Sequence, residues 1–402
     1  MKHTGVVLSD GIGLLRARLH FADDAAAVGA PGNVAFASAF ARQQRVYERL
    51  ALDLSAPLRG GDVSLQAFSD SKRLRFFDPS FGFDAHADGT SRGLALRATQ
   101  QLGPLHLLTA GWDSRGDVAL FDPGFSGGTA NVARDAQTAW YLQDELHRPL
   151  APLRATIGLR TEHITGTQST TTPSLGILQR LSHGVDVSAN YARAFRAPSL
   201  NERYYPSYGN ANLQPEYGAT FDLRVRAESG AGAASVSWFG SDTNNLIVNV
   251  AIDSFGDVAP HNVNRARVRG LEGTLQTRVG SRTIATLAYT DYLVAADLSP
   301  GHPPTRLQYR PSAIAALTLA THGPVWGYGG QELFVGRRFA DEANTKHMPA
   351  YLMLGTYVQR SLGARTQVTL RADNLTNDRH AEDQLGYPVI GAQVALRLTV
   401  QY

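Results

Sequence analysis

One stretch of the 402-residue chain has the spacing of a nucleophilic serine, because Gly124-Phe125-Ser126-Gly127-Gly128 matches the pattern G-x-S-x-G. In hydrolases this pattern holds the serine on a sharp turn between a strand and a helix. Here it follows Asp122-Pro123 and leads through Ala130-Asn131-Val132 into another strand pattern, so the required helix is missing. The sequence therefore predicts no serine hydrolase.

Metal and redox chemistry also lack the residues they need. The 12 histidines are scattered without an H-E-x-x-H pattern, and the lack of cysteine excludes thiolate sites and disulfides. Two acidic pairs, Asp23-Asp24 and Asp341-Glu342, could bind Ca²⁺ through carboxylate oxygens, but solvated loop charge explains them better because neither has a complete ligand set. We expect no catalytic residue, cofactor or metal, and therefore no enzyme.

The segment 197–214 has the side chains of a recognition loop. It contains Arg203, Tyr204, Tyr205 and Tyr208 beside several asparagines. Amphipathic aromatic groups next to polar ones suit the binding of a large, partly apolar ligand. The same tyrosines would equally suit an aromatic girdle where a barrel meets lipid headgroups, and the sequence leaves both interpretations open.

The elements that must position this segment are strands. In the last residues of the chain, Val394, Leu396 and Leu398 alternate with polar neighbours such as Arg397. The same period of two recurs over residues 220–228 and 367–371. Because strand side chains alternate between two faces, these segments are half-buried strands.

The links between strands alternate between short and long. Short links fall near 59–61, 102–104, 182–184, 280–281, 322–324 and 362–364, and long links are predicted at 22–44, 77–90, 117–133, 197–214, 248–263, 295–308, 339–349 and 376–388. Short turns on one side and long loops on the other are typical of an outer-membrane barrel. The pattern predicts an all-β, transmembrane antiparallel β-barrel of about 18 strands plus an N-terminal stub at residues 2–8, with Tyr402 at its short-turn end.

Composition supports this fold and excludes others. Charged residues make up only 18% of the chain, and no apolar run approaches the roughly 20 residues of a membrane helix. The net charge is +3 and no Lys/Arg run interleaves with aromatic residues, so we expect no nucleic-acid partner. A soluble β-propeller would need a repeat of about 40 to 50 residues, which is missing.

Three blocks carry a resemblance to a known family. They are residues 190–202 (NYARAFRAPSLNE) with 209–216 (GNANLQPE), residues 262–273 (NVNRARVRGLEG), and residues 371–378 (RADNLTND) with 386–388 (GYP). Their order and spacing resemble the TonB-dependent outer-membrane receptors. Residues 69–72 and 77–79 upstream look most like the vitamin B12 (cobalamin) transporters of that family.

Most of the block residues have structural explanations. Pro198, Pro215 and Pro388 fix φ at strand boundaries, whereas Asn210, Asn212 and Asn374 can satisfy loop backbone. Gly270 and Glu272 would share a strand face, with room for another group at the glycine and Glu272 pointing into a polar lumen, where it could touch a plug. The remaining motif positions, also read as structural, are Glu216, Asn264, Leu375 and the terminal Tyr402.

The resemblance implies a function. Barrels of this family capture a scarce metal chelate, such as cobalamin or a siderophore, in their outer loops, while an internal plug gates passage with energy delivered through TonB. The expected partners are therefore outer-membrane lipid, TonB, a plug and a metal chelate, and the expected location is the bacterial outer membrane. A passive diffusion porin, which naturally has 16 to 18 strands, is the alternative.

The beginning of the chain departs from the family pattern. No apolar signal-peptide stretch follows Met1, and a strand pattern begins by residues 13–19. We therefore expect residues 1–402 to be a truncated barrel without signal peptide, plug or about three to four first strands, and not competent by itself for energised transport.

Overall fold

The computed structural model of the chain describes residues 2–12, 15–29, 40–80, 82–123, 129–147, 152–182, 184–252, 258–298, 303–379, 389 and 391–400. These contain 22 strands and one short helix, α1 (Leu200–Tyr204). The strands are β1 (Lys2–Ile12), β2 (Leu15–Gly29), β3 (Arg42–Leu58), β4 (Gly61–Asp78), β5 (Phe83–Leu102), β6 (His106–Asp122), β7 (Asn131–His147), β8 (Leu153–Ile164), β9 (Thr170–Ser182), β10 (Val185–Arg196), β11 (Glu216–Ser229), β12 (Gly232–Ala251), β13 (Val258–Val279), β14 (Thr283–Asp297), β15 (Thr305–Arg306), β16 (Ala313–His322), β17 (Trp326–Val335), β18 (Arg338–Phe339), β19 (His347–Met348), β20 (Tyr351–Ser361), β21 (Thr366–Asp373) and β22 (Gln393–Val400).

The strands form a large antiparallel sheet. Twenty of them belong to one sheet, and β18 with β19 forms a separate small ladder. Each strand from β1 to β8 pairs with the next in the chain. Within the described residues, 19 strands have eight or more residues. This confirms the predicted antiparallel all-β architecture of about 18 strands plus an N-terminal stub.

Several strands are longer than the sequence pattern predicted. The stub at residues 2–8 is a full strand, β1, which pairs with β2 from Lys2 to Ile12. The predicted long link 77–90 is mostly strand, because β4 ends at Asp78 and β5 begins at Phe83. Likewise, β2 continues to Gly29 inside the predicted link 22–44. Backbone pairing needs no apolar alternation, so strands can continue past the apolar band into segments that look like loops in sequence.

The predicted short turns lie where the sequence placed them. Gly60 and Gly184 have φ of +82° and +84°, and they occupy the turns after β3 and β9. This left-handed conformation is easily reached only without a Cβ, which explains glycine at these turns.

The contacts divide the chain into two units, which are described separately. Unit 1 comprises residues 1–177, 191–219 and 244–263, and unit 2 comprises residues 178–190, 220–243 and 264–402. In unit 1, Leu96, Trp112 and Trp140 are cross-strand neighbours on β5, β6 and β7. Trp140 is 64% exposed and Leu96 45%, so large apolar groups cover this face. A soluble monomer rarely leaves such a face in water.

Unit 2 has an apolar face of the same kind. On β22, Leu396 and Leu398 are 74% and 64% exposed and pair with Leu370 and Val368 of β21. Arg397 lies between them and therefore points to the opposite face, as the alternation predicted. Tyr402 lies outside the described residues.

Candidate functional site

A large cavity opens on the polar face of unit 1, with a volume of about 800 Å³. Its walls come from β4 to β8 and from the segment after β10. The lining residues are Lys72, Leu74, Ala87, Asp88, Gly89, Thr90, Ser91, Arg115, Asp117, Val118, Ala119, Phe121, Asp135, Gln137, Glu162, Ile164, Phe195, Arg196, Ala197, Pro198, Ser199, Leu200 and Asn201. Pockets of this size hold a small molecule with its polar groups oriented by a few side chains.

A network of charged groups lies on the polar face of β6, β7 and β8. Arg160 donates to both carboxylate oxygens of Asp113, at 2.8 and 3.0 Å, and its Nε donates to Glu162 at 3.1 Å. Gln137 donates to the same Glu162 at 2.6 Å. Two parallel bonds between a guanidinium and a carboxylate fix both groups in direction as well as in position. The polar wall of the cavity is therefore rigidly ordered.

A second cluster lies along β5 and β6. Arg115 donates through Nε to Asp117 at 3.0 Å and through Nη2 to Ser91 at 3.2 Å, while Ser91 donates to Asp117. Asp117 and Asp135 are cross-strand neighbours on β6 and β7. The cavity wall thus presents cationic and anionic groups side by side.

The segment 197–214 is partly helical, which the sequence analysis missed. Ser199 is the N-cap of α1, its hydroxyl accepts from the Glu202 amide at 3.2 Å, and Glu202 accepts from the Ser199 amide at 2.7 Å. This reciprocal pair is a capping box, which stabilises the first turn. The spacing Ser199-x-x-Glu202 was a visible signal for it.

An ionic fork joins the two ends of this segment to each other. Arg196, at the end of β10, donates through Nε and Nη2 to Glu216 of β11 at 2.9 and 2.6 Å. Its Nη1 donates to the two oxygens of Glu202 at 3.2 and 3.0 Å. The side chains of Glu202 and Glu216 are 19% and 13% exposed, against 44% for Arg196. We call these three residues the Arg196 fork.

Asparagine side chains attach the rest of the segment to neighbouring backbone. Asn210 donates to the Pro260 carbonyl at 3.0 Å and accepts from the Asn212 amide at 3.0 Å. Asn262 donates to the Gln214 carbonyl at 2.9 Å and accepts from the Gln214 amide at 2.8 Å. Short polar side chains of this kind replace the backbone partners that a loop lacks.

The prolines mark the ends of the same segment. Pro198 is buried, and the carbonyl of Pro215 accepts from Asn245 at 3.3 Å.

The four predicted ligand-contacting residues are half-buried on this segment. The Arg203 guanidinium lies 4.8 Å from the centre of the Tyr204 ring. Tyr205 packs edge-on against Phe121 at 5.3 Å, and the Tyr208 hydroxyl donates to Asn249 at 2.7 Å. Burial raises the pKa of both Tyr205 and Tyr208. Their role in ligand contact stays a prediction.

In unit 2, the motif residues lie at a bulge and a turn. The strand ladder shifts register between Arg269 and Leu271, and the extra residue lies on β14 between Asp291 and Val294. A Cβ at Gly270 would meet the Phe239 ring and the Asp291 carbonyl. Glu272 is exposed and pairs in register with Thr290.

Asn374 is the best-defined residue of the third block. It is 4% exposed, has a φ of +50°, and donates to the Asp378 carbonyl at 2.8 Å. The next residue, Leu375, is 52% exposed and donates its amide to the Leu354 carbonyl at 2.9 Å. Asn264 lies within β13. Pro388 and the G-x-S-x-G stretch 124–128 lie outside the described residues.

In the described part of the chain, no helix is long and apolar enough to span a membrane. No group of three or more His, Asp or Glu side chains is arranged there to hold a metal ion.

The large antiparallel sheet, its apolar face and its ordered polar face define a transmembrane β-barrel protein. The family described as TonB dependent receptor-like, beta-barrel matches residues 11–377, and the chain belongs to this family. This confirms the resemblance noted in the sequence. Because the family consists of transport receptors, it also confirms that the chain is not an enzyme.

The similar proteins include a vitamin B12 transporter and a ferrioxamine receptor. The chain is 29% identical to the vitamin B12 transporter BtuB of Vibrio cholerae over 243 residues, which are 58% of this chain and 37% of that protein. It is 24% identical to the ferrioxamine receptor of Yersinia enterocolitica over 328 residues, which are 75% of this chain and 44% of that protein. The chain thus spans less than half the length of these relatives.

A solved structure shows the same fold. The siderophore receptor PirA of Acinetobacter baumannii superposes with a TM-score of 0.79 at 16% identity, covering 100% of this chain and 70% of that one. At this identity the likeness shows the fold alone.

Proposed function

We propose that this chain is the barrel of an outer-membrane receptor that takes up a metal chelate of the cobalamin or siderophore class, with energy delivered through TonB. The observation that carries the proposal is the 800 Å³ cavity on an ordered polar wall, in a chain of this family. The names of the relatives supply the ligand class. Binding and gating need no covalent step, which agrees with the lack of a catalytic set in the sequence.

The charged residues that line the cavity restrict the charge of the ligand that it can bind. Its lining has four carboxylates, from Asp88, Asp117, Asp135 and Glu162, against three cations, from Lys72, Arg115 and Arg196. Arg115 and Arg196 are each paired with carboxylates of this unit. A strongly anionic chelate would find few free cations there and several anions. The lining therefore favours a neutral or weakly cationic chelate.

The segment 197–214 would form one side of the binding site. Pro198, Ser199 and Asn201 line the cavity, while Tyr204, Tyr205 and Tyr208 follow on the same segment. In this proposal the motif residues Asn210, Asn212, Pro215 and Glu216 hold the segment in place and do not contact the ligand. Glu272 and Gly270 belong to unit 2 and have no part in this cavity.

Ligand binding to the purified, refolded chain tests the proposal. We expect saturable binding of cyanocobalamin or of ferrioxamine, measured by isothermal titration in detergent. The double variant Asp88→Asn/Asp135→Asn should weaken binding about tenfold, since each lost polar contact contributes about 0.5 to 1.5 kcal/mol. The control Asp53→Asn/Asp62→Asn removes two carboxylates of the same unit that do not line the cavity.

Two outcomes would count against the proposal. Equal affinity in the cavity variant and its control would show that the ligand binds elsewhere. Large, non-saturable conductance in planar bilayers without any chelate binding would favour the passive porin instead. Replacing Tyr204, Tyr205 and Tyr208 together with Ala tests the loop separately, because a fall in yield without a fall in affinity would assign them to the girdle.

A further inference from the structure

Three short turns of unit 2 form a rim with one sign of charge. They connect β13 to β14, β16 to β17 and β20 to β21, and they lie side by side. The His322 amide donates to the Arg282 carbonyl at 3.0 Å, and the Ser361 amide donates to the Val325 carbonyl at 2.9 Å. The turns 280–282, 323–325 and 362–365 are therefore neighbours in space. We call residues 276–285, 320–328 and 358–368 the short-turn rim.

This rim is cationic and has no acidic side chain. It contains Arg278, Arg282, Arg360, Arg365 and His322, but neither Asp nor Glu. All five are exposed. Among the described residues, none of the four arginines makes an ion pair with a carboxylate. Elsewhere in unit 2 exposed arginines do have such partners, as Arg371 does in Asp373 at 2.7 Å.

Apolar side chains lie between these cations. Trp326, Val325 and Leu362 are 50%, 46% and 52% exposed. The Arg360 guanidinium lies 5.1 Å from the centre of the Trp326 ring, and the two residues are direct cross-strand partners. Stacking on the indole holds the guanidinium at the end of the strand. Tryptophan also prefers the boundary between hydrocarbon and headgroups.

The alternation of cationic and apolar side chains along the rim fits a lipid surface better than a soluble partner. Trp326, Tyr328 and Val358 lie on the face that continues into Leu317 and Leu319, so the rim borders the apolar band of the sheet. A phosphate group at that border would meet the Arg360 guanidinium at the level of the indole, with Arg282 and Arg365 in the neighbouring turns. Because each cation close to an anionic membrane surface adds to the attraction, three of them favour an anionic lipid over a zwitterionic one.

We propose that the short-turn rim is a binding surface for the phosphate headgroup of an anionic glycerophospholipid, with Arg360 on Trp326 at its centre and Arg282 and Arg365 beside it. The inference rests on the proposed placement in a membrane. It adds a lipid preference that neither the family nor the ligand cavity implies. The partner is a lipid in the leaflet on the short-turn side, and no soluble ligand is involved.

The test measures lipid retention by the full chain. The chain is refolded in vesicles of phosphatidylcholine with 20% phosphatidylglycerol, extracted in mild detergent, and the bound lipid is identified by native mass spectrometry. We expect the ratio of phosphatidylglycerol to phosphatidylcholine in the bound lipid to be at least about fivefold that in the vesicles. The variant Arg282→Gln/Arg360→Gln/Arg365→Gln should lose this enrichment.

The control removes the same charge from the other end of the strands. Arg265, Arg310 and Arg337 are exposed and belong to unit 2, but they follow or precede the long links. Their triple change to Gln should retain the parent's enrichment. An equal loss in both triples would reduce the effect to net charge and overturn the proposal, and so would an unchanged enrichment in the rim variant.

A second measurement covers the case in which the rim variant fails to fold. A chain that keeps Trp326 alone, with the other tryptophans Trp112, Trp140 and Trp238 changed to Phe, is refolded with brominated lipids. Brominated phosphatidylglycerol should quench its fluorescence more than the same amount of brominated phosphatidylcholine, and equal quenching would refute the headgroup preference. Failure of the parent chain to insert into any vesicle would contradict the membrane placement itself, which separates the two proposals.

Discussion

The Arg196 fork gives the sharpest test of how the motif residues work. Changing Arg196 to Gln removes four charge-assisted hydrogen bonds, two to Glu216 and two to Glu202. It also leaves two carboxylates that are less than one-fifth exposed without their cation. Breaking a fully buried ion pair costs about 3 to 5 kcal/mol. Because Arg196 itself is 44% exposed and water can replace part of the loss, we expect about 2 kcal/mol.

The loss should be local to the segment 197–214. Two of its backbone bonds report on it directly, because the Gly209 amide donates to the Tyr205 carbonyl at 2.7 Å and the Asn210 amide to the Glu202 carbonyl at 2.8 Å. Hydrogen exchange of these amides should become about thirtyfold faster, which corresponds to about 2 kcal/mol. Exchange in the middle of β6 should not change.

Two variants decide whether the reasoning holds. Arg193→Gln removes an exposed arginine from the same strand. The opening free energy reported by exchange of the Gly209 and Asn210 amides should then change by less than about 0.5 kcal/mol. Arg196→Lys keeps the charge but not the planar fork, so it should fall between Gln and the parent. Unchanged protection of Gly209 and Asn210 in Arg196→Gln would refute the role of the fork.

Three further predictions concern other parts of the chain. Burial raises the pKa of Glu202, but hydrogen bonds from Arg196 and Ser199 outweigh it and hold the pKa below its ordinary value. The protection factors of amides in 197–214 should therefore be at their full value above the ordinary glutamate pKa of about 4.3 and fall as the pH drops below it. Protection factors that do not change with pH would contradict this. Leu398→Arg should lower the free energy of unfolding in vesicles by about 2 to 4 kcal/mol if residue 398 lies near the membrane midplane, as measured by denaturant titration. A loss below about 0.5 kcal/mol would show that this face does not meet lipid. Gly270→Ala should lower the free energy of unfolding by about 1 to 3 kcal/mol in the same titration, because the new Cβ would strike Phe239 and the Asp291 carbonyl. In the control Gly273→Ala the new Cβ meets nothing within 4 Å, and equal losses in both variants would exclude the steric explanation.

The strand architecture could be predicted because the alternation of apolar and polar residues that produces it is a property of short sequence segments. Alternation of apolar and polar residues fixes which face a side chain takes, so Leu398 and Arg397 were placed on opposite faces from sequence alone. Glycines at short links predicted turns such as Gly60. Residues 22–29 and 83–90 were wrongly predicted as parts of loops because strand pairing continues there without apolar alternation.

The candidate site was only partly predictable. The sequence drew attention to the segment 197–214 and its tyrosines, and the capping spacing of Ser199 and Glu202 was visible in it. It did not show that Asn131 donates to the Tyr204 carbonyl at 2.9 Å across 73 positions. It also gave no sign that Arg160, which binds the cavity-lining Glu162, would pair with Asp113, 47 positions away.

The sequence by itself therefore determined the fold class, the strand faces and the family. These depend on neighbouring residues and on motif blocks whose order is kept along the chain. Only the tertiary structure decided which charges meet, as in the Arg196 fork, and that the turns 280–282, 323–325 and 362–365 form one cationic rim. The reason is that register and strand order bring together residues far apart in the chain, and electrostatic energy depends on those distances and not on sequence separation.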